Sequence, residues 1–157
     1  MKKILIALDF NPTAQKVAEV GYALAKSLGA EVILLHVIVD PLYYSTVENF
    51  PIVGYTGSII APLQIPNNEF IIKESKLFLN KIKIHLDDDN IQTLVKEGDS
   101  AGIILNTAKE LKVDIIVMGS HSRRWLEDIL LGSITSYVLN HSTIPLFIIP
   151  TQKSKNK

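Results

Sequence analysis

Val113-Asp114-Ile115-Ile116-Val117-Met118-Gly119-Ser120-His121-Ser122, followed by Leu131-Gly132-Ser133-Ile134-Thr135, is the stretch that decides the fold of this chain. The first half is a run of mostly β-branched residues, the signature of a short buried strand, and Gly119 lets the backbone turn sharply at its carboxyl end. In open α/β sheets ligands sit outside the carboxyl ends of the strands. The second half opens a helix over 134–140, with Gly132-Ser133 at its start, so its first N–H groups and the positive end of its dipole face the Gly119 turn. An anion between the two turns would be solvated from both sides. Taken singly, Gly119 and Gly132 read as turn glycines and Ser133 as a helix cap; it is their combination that points to phosphate.

Outward from this stretch, strand and helix signals alternate along the chain, the pattern of βαβ units building a parallel sheet. The first strand is expected at 4–8, and Asn11-Pro12 supplies a cap and a first-turn proline for a helix that closes at Gly29. Val17, Val20, Leu24 and Leu28 recur at helical spacing and are expected to form its buried stripe. Residues 31–37 are almost continuously apolar, as in a strand covered on both faces, with His36 read as a hydrogen-bonded core histidine. A second amphipathic helix is expected over 67–86, with Ile71, Phe78 and Ile82 facing inward. Asp87-Asp88-Asp89-Asn90 lacks the ligand spacing of a calcium loop and reads as a solvated turn. The alternation over 91–96 predicts a strand near a sheet edge, and Gly98-Asp99-Ser100 turns into a third helix carrying Ile104, Ala108 and Leu111.

The last strand is expected over 144–150, bounded by Pro145 and Pro150. Prolines cannot donate to a ladder, so this strand belongs at an edge, and its four consecutive apolar residues would be an aggregation hazard if left open. Homodimerisation through the strand Pro145-Leu146-Phe147-Ile148-Ile149 would cover it. Residues 38–66, with four prolines, two glycines and Tyr43, Tyr44, Phe50 and Tyr55, exceed an ordinary connector and read as a partly ordered flap.

The chain has 157 residues, 47% of them hydrophobic, which suits one domain over 1–150 and a disordered basic tail over 151–157. With 16 basic and 16 acidic residues it carries no formal net charge, and no basic stripe tracks a nucleic-acid backbone. No cysteine occurs, so thiolate metal sites, disulfides and a cysteine nucleophile are excluded, and a reducing compartment fits. The apolar run behind Lys2 and Lys3 stops at Asp9 after five residues, too short for a signal peptide or a membrane span; a cytoplasmic protein is expected.

Four features together resemble the universal stress protein family. They are Ala7-Leu8-Asp9 ending the first strand, Leu35-His36-Val37 ending the second, the Glu97-Gly98-Asp99 turn, and above all Val117-Met118-Gly119-Ser120-His121-Ser122 with Leu130-Leu131-Gly132-Ser133. The resemblance implies an α/β fold with a five-stranded parallel sheet of order 3-2-1-4-5 and helices on both faces, Rossmann-like and of the adenine nucleotide alpha hydrolase type. It also implies a homodimer through the last strand. The family divides into members that bind ATP and members that do not, and the binders show Gly-x2-Gly-x9-Gly-(Ser/Thr). Here Gly119 and Gly132-Ser133 match, but Ser122 stands where the second glycine is expected. A left-handed serine there would cost roughly 1 kcal/mol, whereas a side chain blocking phosphate approach would cost the site itself. The Ser122 hydroxyl and the nearby Arg123 and Arg124 could instead contact phosphate.

Carried over by this resemblance, Ala7, Leu8 and Asp9 flank the nucleoside, with the Asp9 carboxylate accepting from ribose or the adenine amino group. Asp9 read without the resemblance is a helix cap. Val37 contacts the adenine edge through its main chain, and Met118, Gly119, His121, Ser122, Arg123, Gly132, Ser133, Ile134 and Thr135 line ribose and phosphates. The implied cofactor is ATP, with a divalent cation, Mg or Mn, on its phosphates and no metal held by side chains. No catalytic constellation is legible: there is no helical His pair, nucleophile elbow or Gly-x4-Gly-Lys-(Ser/Thr) loop, and slow ATP hydrolysis is the most to expect. Phe10 after Asp9 and Pro150 after Ile149 exclude a response-regulator receiver. Two readings remain: a nucleotide-responsive regulatory or stress-protection protein, and a dimeric interaction module whose cleft no longer binds nucleotide.

Overall fold

The computed structural model describes residues 1–39, 67–120 and 131–151. Its strands are β1 (Lys3–Leu8), β2 (Glu31–Ile38), β3 (Gln92–Glu97), β4 (Ile115–Gly119) and β5 (Leu146–Ile149). Its helices, numbered in chain order, are α1 (Ala14–Leu28), α2 (Asn68–Leu86), α3 (Ser100–Glu110) and α4 (Ser133–His141). The flap expected over 38–66 lies almost wholly outside the described residues, as does the basic tail beyond Thr151.

All pairings are parallel, in the order β3-β2-β1-β4-β5. β1 is central, with Ile6 opposite Leu34 of β2 on one side and Val117 of β4 on the other. Strand residues alternate between two apolar layers, as the two-residue period of a strand requires. Ile4, Ile6, Leu34 and Val117 pack under α1 and α2, while Leu5, Leu35, Ile116 and Met118 pack under α3 and α4. The order reverses between β1 and β4, and that switch point opens a crevice at their carboxyl ends. β3 and β5 occupy the two edges expected of them.

Helix α1 corrects the expected stripe. Its buried residues are Ala14, Val17, Ala18, Gly21 and Ala25, whereas Val20 and Leu28 are 37% and 36% exposed. Small side chains let the helix lie close over the sheet, so the inward face is the one with the least bulk rather than the largest apolar residues. The cap differs as well. Thr13, not Asn11, is the N-cap; the Asn11 Oδ1 accepts from the Thr13 N–H at 3.0 Å and from its hydroxyl at 2.8 Å, shaping the turn before the helix.

Helix α2 begins at an Asn67 cap, whose side chain accepts from the Phe70 N–H at 2.8 Å, and it ends on Asp87 in the left-handed conformation. The following Asp88 is a structural tie. Its carboxylate accepts from the Tyr22 hydroxyl at 2.8 Å and from the Asn90 N–H at 2.9 Å, holding the α2–β3 turn against α1. These donors, with Lys26 nearby, pull its pKa down to about 2.

Candidate ligand-binding cleft

At the switch point lies an open cleft, lined by the carboxyl ends of the central strands and the starts of three helices. Its floor is formed where β1 and β4 end, at Ala7, Leu8 and Asp9 and at Met118 and Gly119. One end is apolar, walled by Leu35 and Val37 of β2 and by Ile104 of α3, with Ser100 at its rim. The opposite end is bordered by Ile134 and Thr135, in the first turn of α4. Thr13, Ala14 and Val17 bring the start of α1 to the same cleft.

The two helices that begin beside the floor, α1 and α4, have no side-chain cap, whereas Asn67 and Asp99 cap α2 and α3. The first N–H groups of a helix lack intrahelical partners and carry the positive end of its dipole. Both ends therefore offer donors and a positive field to the cleft. At the apolar end the main chain supplies an acceptor. In a parallel strand the main-chain groups of successive residues point to alternate neighbours. The Ile38 carbonyl accepts from the Gly98 N–H on the β3 side at 3.0 Å, so the Val37 carbonyl points the other way, past the end of β1 at Leu8.

Of the residues the sequence singled out, Ala7, Leu8, Asp9, Val37, Met118, Gly119, Ile134 and Thr135 come together around this cleft. Gly132 and Ser133 do not line it. The Gly132 N–H donates to the Ser120 carbonyl at 2.7 Å, which anchors the start of α4 to the end of β4. The Thr135 hydroxyl serves the same joint by donating to the Gly119 carbonyl at 2.9 Å, leaving only its main chain to meet a ligand. His121, Ser122, Arg123 and Arg124 lie outside the described residues. Asp9 is half-buried at the end of β1, and α1 is capped four residues later, so the carboxylate is not the helix cap it resembled in sequence.

Thr13, Ala14, Val17, Leu35, Ser100 and Ile104 were not read as site residues. Ser100 carried a usable signal, since it follows a Gly-Asp turn at the carboxyl end of a strand adjacent to β2. His36 backs the cleft without lining it. Its Nδ1–H donates to the Leu8 carbonyl at 2.8 Å, and its ring packs against Phe10 and Phe78 with centroids 4.2 and 5.7 Å away. Burial drives its pKa from 6.5 to about 4, so it is a neutral core histidine that ties the ends of β1 and β2 together. Among the described residues no group of three His, Asp or Glu side chains is placed to hold a metal, and no helix is long and apolar enough to cross a membrane.

A doubly wound, parallel sheet with a cleft at its switch point defines a Rossmann-like α/β domain. The chain belongs to the universal stress protein family, whose profile matches residues 1–150. It is 31% identical over 158 residues to the universal stress protein MJ0577 of Methanocaldococcus jannaschii, covering 98% of this chain and 97% of that protein. A solved structure of MJ0577 superposes with a TM-score of 0.71 at 30% identity, covering 98% of each chain. More distant fold neighbours include a universal stress protein in complex with cAMP, at TM-score 0.65 and 16% identity over 96% of this chain and 98% of that one. Another is an Arabidopsis thaliana member with AMP bound, at TM-score 0.59 and 18% identity over 100% of this chain and 97% of that one.

Proposed function

We propose that this chain binds an adenine nucleotide in the switch-point cleft, ATP with Mg or Mn carried on its phosphates, and acts as a nucleotide-responsive regulatory or stress-protection protein. The observation that carries this reading is the polarity of the cleft. One end is apolar with the Val37 carbonyl as acceptor, and the other is the open first turn of α4. An aromatic base with an exocyclic amine suits the first, and phosphate oxygens suit the second. Asp9 lies between them, where a carboxylate would accept from ribose hydroxyls and would disfavour phosphate. In this arrangement Gly132 works as an anchor rather than as a phosphate donor, and Ile134 and Thr135 act through their N–H groups. The cysteine-free composition supports a reducing, cytoplasmic setting.

Calorimetric titration with ATP, ADP and AMP in the presence of magnesium tests the reading. Binding of ATP at micromolar to low millimolar concentration is expected, weakening as phosphates are removed. Asp9→Ala should weaken ATP about tenfold, about 1.4 kcal/mol, while leaving inorganic triphosphate unaffected. Equal losses for both ligands would reassign Asp9 to a structural role.

A second reading, a dimeric interaction module that binds no nucleotide, is favoured by Ser122 at a glycine position and by the engagement of the Gly132 N–H within the protein. Absence of any nucleotide heat, with no nucleotide released on denaturing purified protein, would select it. Both readings place a homodimer contact along β5, which ends the sheet and presents Phe147 39% exposed. Phe147→Lys is expected to shift the protein from dimer to monomer in sedimentation, because a charge at the centre of a strand-to-strand contact would lose its water.

A further inference from the structure

The three cleft hydroxyls differ in what they are already doing. The Thr13 Oγ1–H donates to the Asn11 Oδ1 at 2.8 Å, and the Thr135 Oγ1–H donates to the Gly119 carbonyl at 2.9 Å. Ser100 Oγ has no hydrogen-bond partner among the described residues. It is free because the residue before it caps the helix: the Asp99 carboxylate accepts from the Gly102 N–H at 2.8 Å. Its position is nevertheless held. Gly98, at φ +136°, makes a turn that a side chain would strain, and its N–H bonds the Ile38 carbonyl, immediately after Val37. One turn on, buried Ile104 fixes α3 against the sheet. An uncommitted hydroxyl thus lines the same cleft as Val37, on a helix held by the Gly98 turn and Ile104.

We propose that Ser100 is a specificity-determining residue whose hydroxyl hydrogen-bonds the polar edge of the bound purine, alongside the Val37 carbonyl. This rests on the nucleotide reading above and deepens it. A carbonyl only accepts, so Val37 selects an exocyclic amine. A hydroxyl can donate, so Ser100 supplies the complementary bond to a ring nitrogen. The pair would read an edge that carries an amine beside an unprotonated nitrogen, which is the chemistry of adenine rather than of a 6-oxopurine.

The test is a cycle between protein and ligand. Wild type, Ser100→Ala and Ser100→Thr are titrated with ATP and with its 1-deaza, 3-deaza and 7-deaza analogues, after thermal melts of all three. Ser100→Ala should melt as the wild type does, because Asp99 carries the cap, and should bind ATP about fivefold more weakly, the scale of one neutral hydrogen bond. Ser100→Thr should restore most of that loss. One deaza analogue should bind the wild type about fivefold more weakly than ATP does, yet lose nothing further in Ser100→Ala. Unchanged ATP affinity in Ser100→Ala overturns the proposal while leaving the nucleotide site standing. A loss of the same size for ATP and every analogue also overturns it, because the hydroxyl would then not touch a ring nitrogen. Wild-type protein that binds no ATP overturns the site and the proposal together.

Discussion

Gly21→Leu is expected to lower the stability of the fold by about 3 kcal/mol, read as a shift of the urea midpoint. A Cβ at this position would stand 2.9 Å from the Ile6 Cδ1, 3.0 Å from the Val117 Cγ1 and 3.2 Å from the Ile6 Cγ1. Ile6 and Val117 are fully buried in neighbouring strands, so neither side chain has free volume into which to retreat. A leucine would force α1 away from β1 and β4. Gly21→Ala is the informative contrast, because its Cβ alone must displace the Ile6 side chain at 2.9 Å, a cost offset in part by the ~1 kcal/mol by which alanine favours a helix over glycine. It should destabilise, but by less than leucine does. Lifting α1 also displaces Thr13, Ala14 and Val17, so Gly21→Leu should weaken ligand binding even under conditions where it remains folded. A leucine variant as stable as the wild type would show that α1 does not sit as close to the sheet as described.

Acid should destabilise the protein well before its carboxylates titrate. His36 keeps its proton off until about pH 4 in the folded state, against 6.5 for an ordinary histidine. Between those values the unfolded chain takes up a proton that the folded chain refuses. The His36 contribution is therefore complete above pH 6.5, falls as pH drops through the window, and is lost below 4. The full drop is about 3 kcal/mol. The physical cause is burial among Phe10 and Phe78, where Nδ1 already serves the Leu8 carbonyl and a second N–H on Nε2 would find no acceptor. Glu19 and Asp88, both held below their ordinary values, lose their contributions only at still lower pH, so the slope between 6.5 and 4.5 belongs to His36. His36→Asn places an amide donor near the Leu8 carbonyl without a titrating group. Its stability should be lower at pH 7 yet flat across that window. A pH slope that survives in His36→Asn would assign it elsewhere.

Local signals carried much of the architecture. Apolar runs without alternation at 31–37 and 113–118 announced strands covered on both faces, and the alternation at 91–96 and the prolines around 146–149 announced the two edges. Such patterns are legible because strand period and proline chemistry act within a few residues. The switch-point location of the cleft was legible for the same reason, since Gly119 at the end of a buried strand and a helix start near Gly132 are local facts; the sheet order was implied only by the family resemblance.

What the sequence alone determined, then, is a parallel α/β sheet of the universal stress protein type with its candidate site at the carboxyl ends of β1, β2 and β4. Only the tertiary structure decided which groups at that edge are available. The α1 stripe was misplaced because closeness of approach depends on small residues summed along a helix, not on the large apolar ones that periodicity counts. Gly132 and Thr135 look in sequence like phosphate donors, but bonds to Ser120 and Gly119 across the chain occupy the N–H of one and the hydroxyl of the other. Ser100, unremarkable beside a turn, is left with an open hydroxyl because Asp99 took over the cap. A hydrogen bond has one donor proton to give, and whether a distant or a neighbouring partner claims it is settled only when the chain has closed on itself.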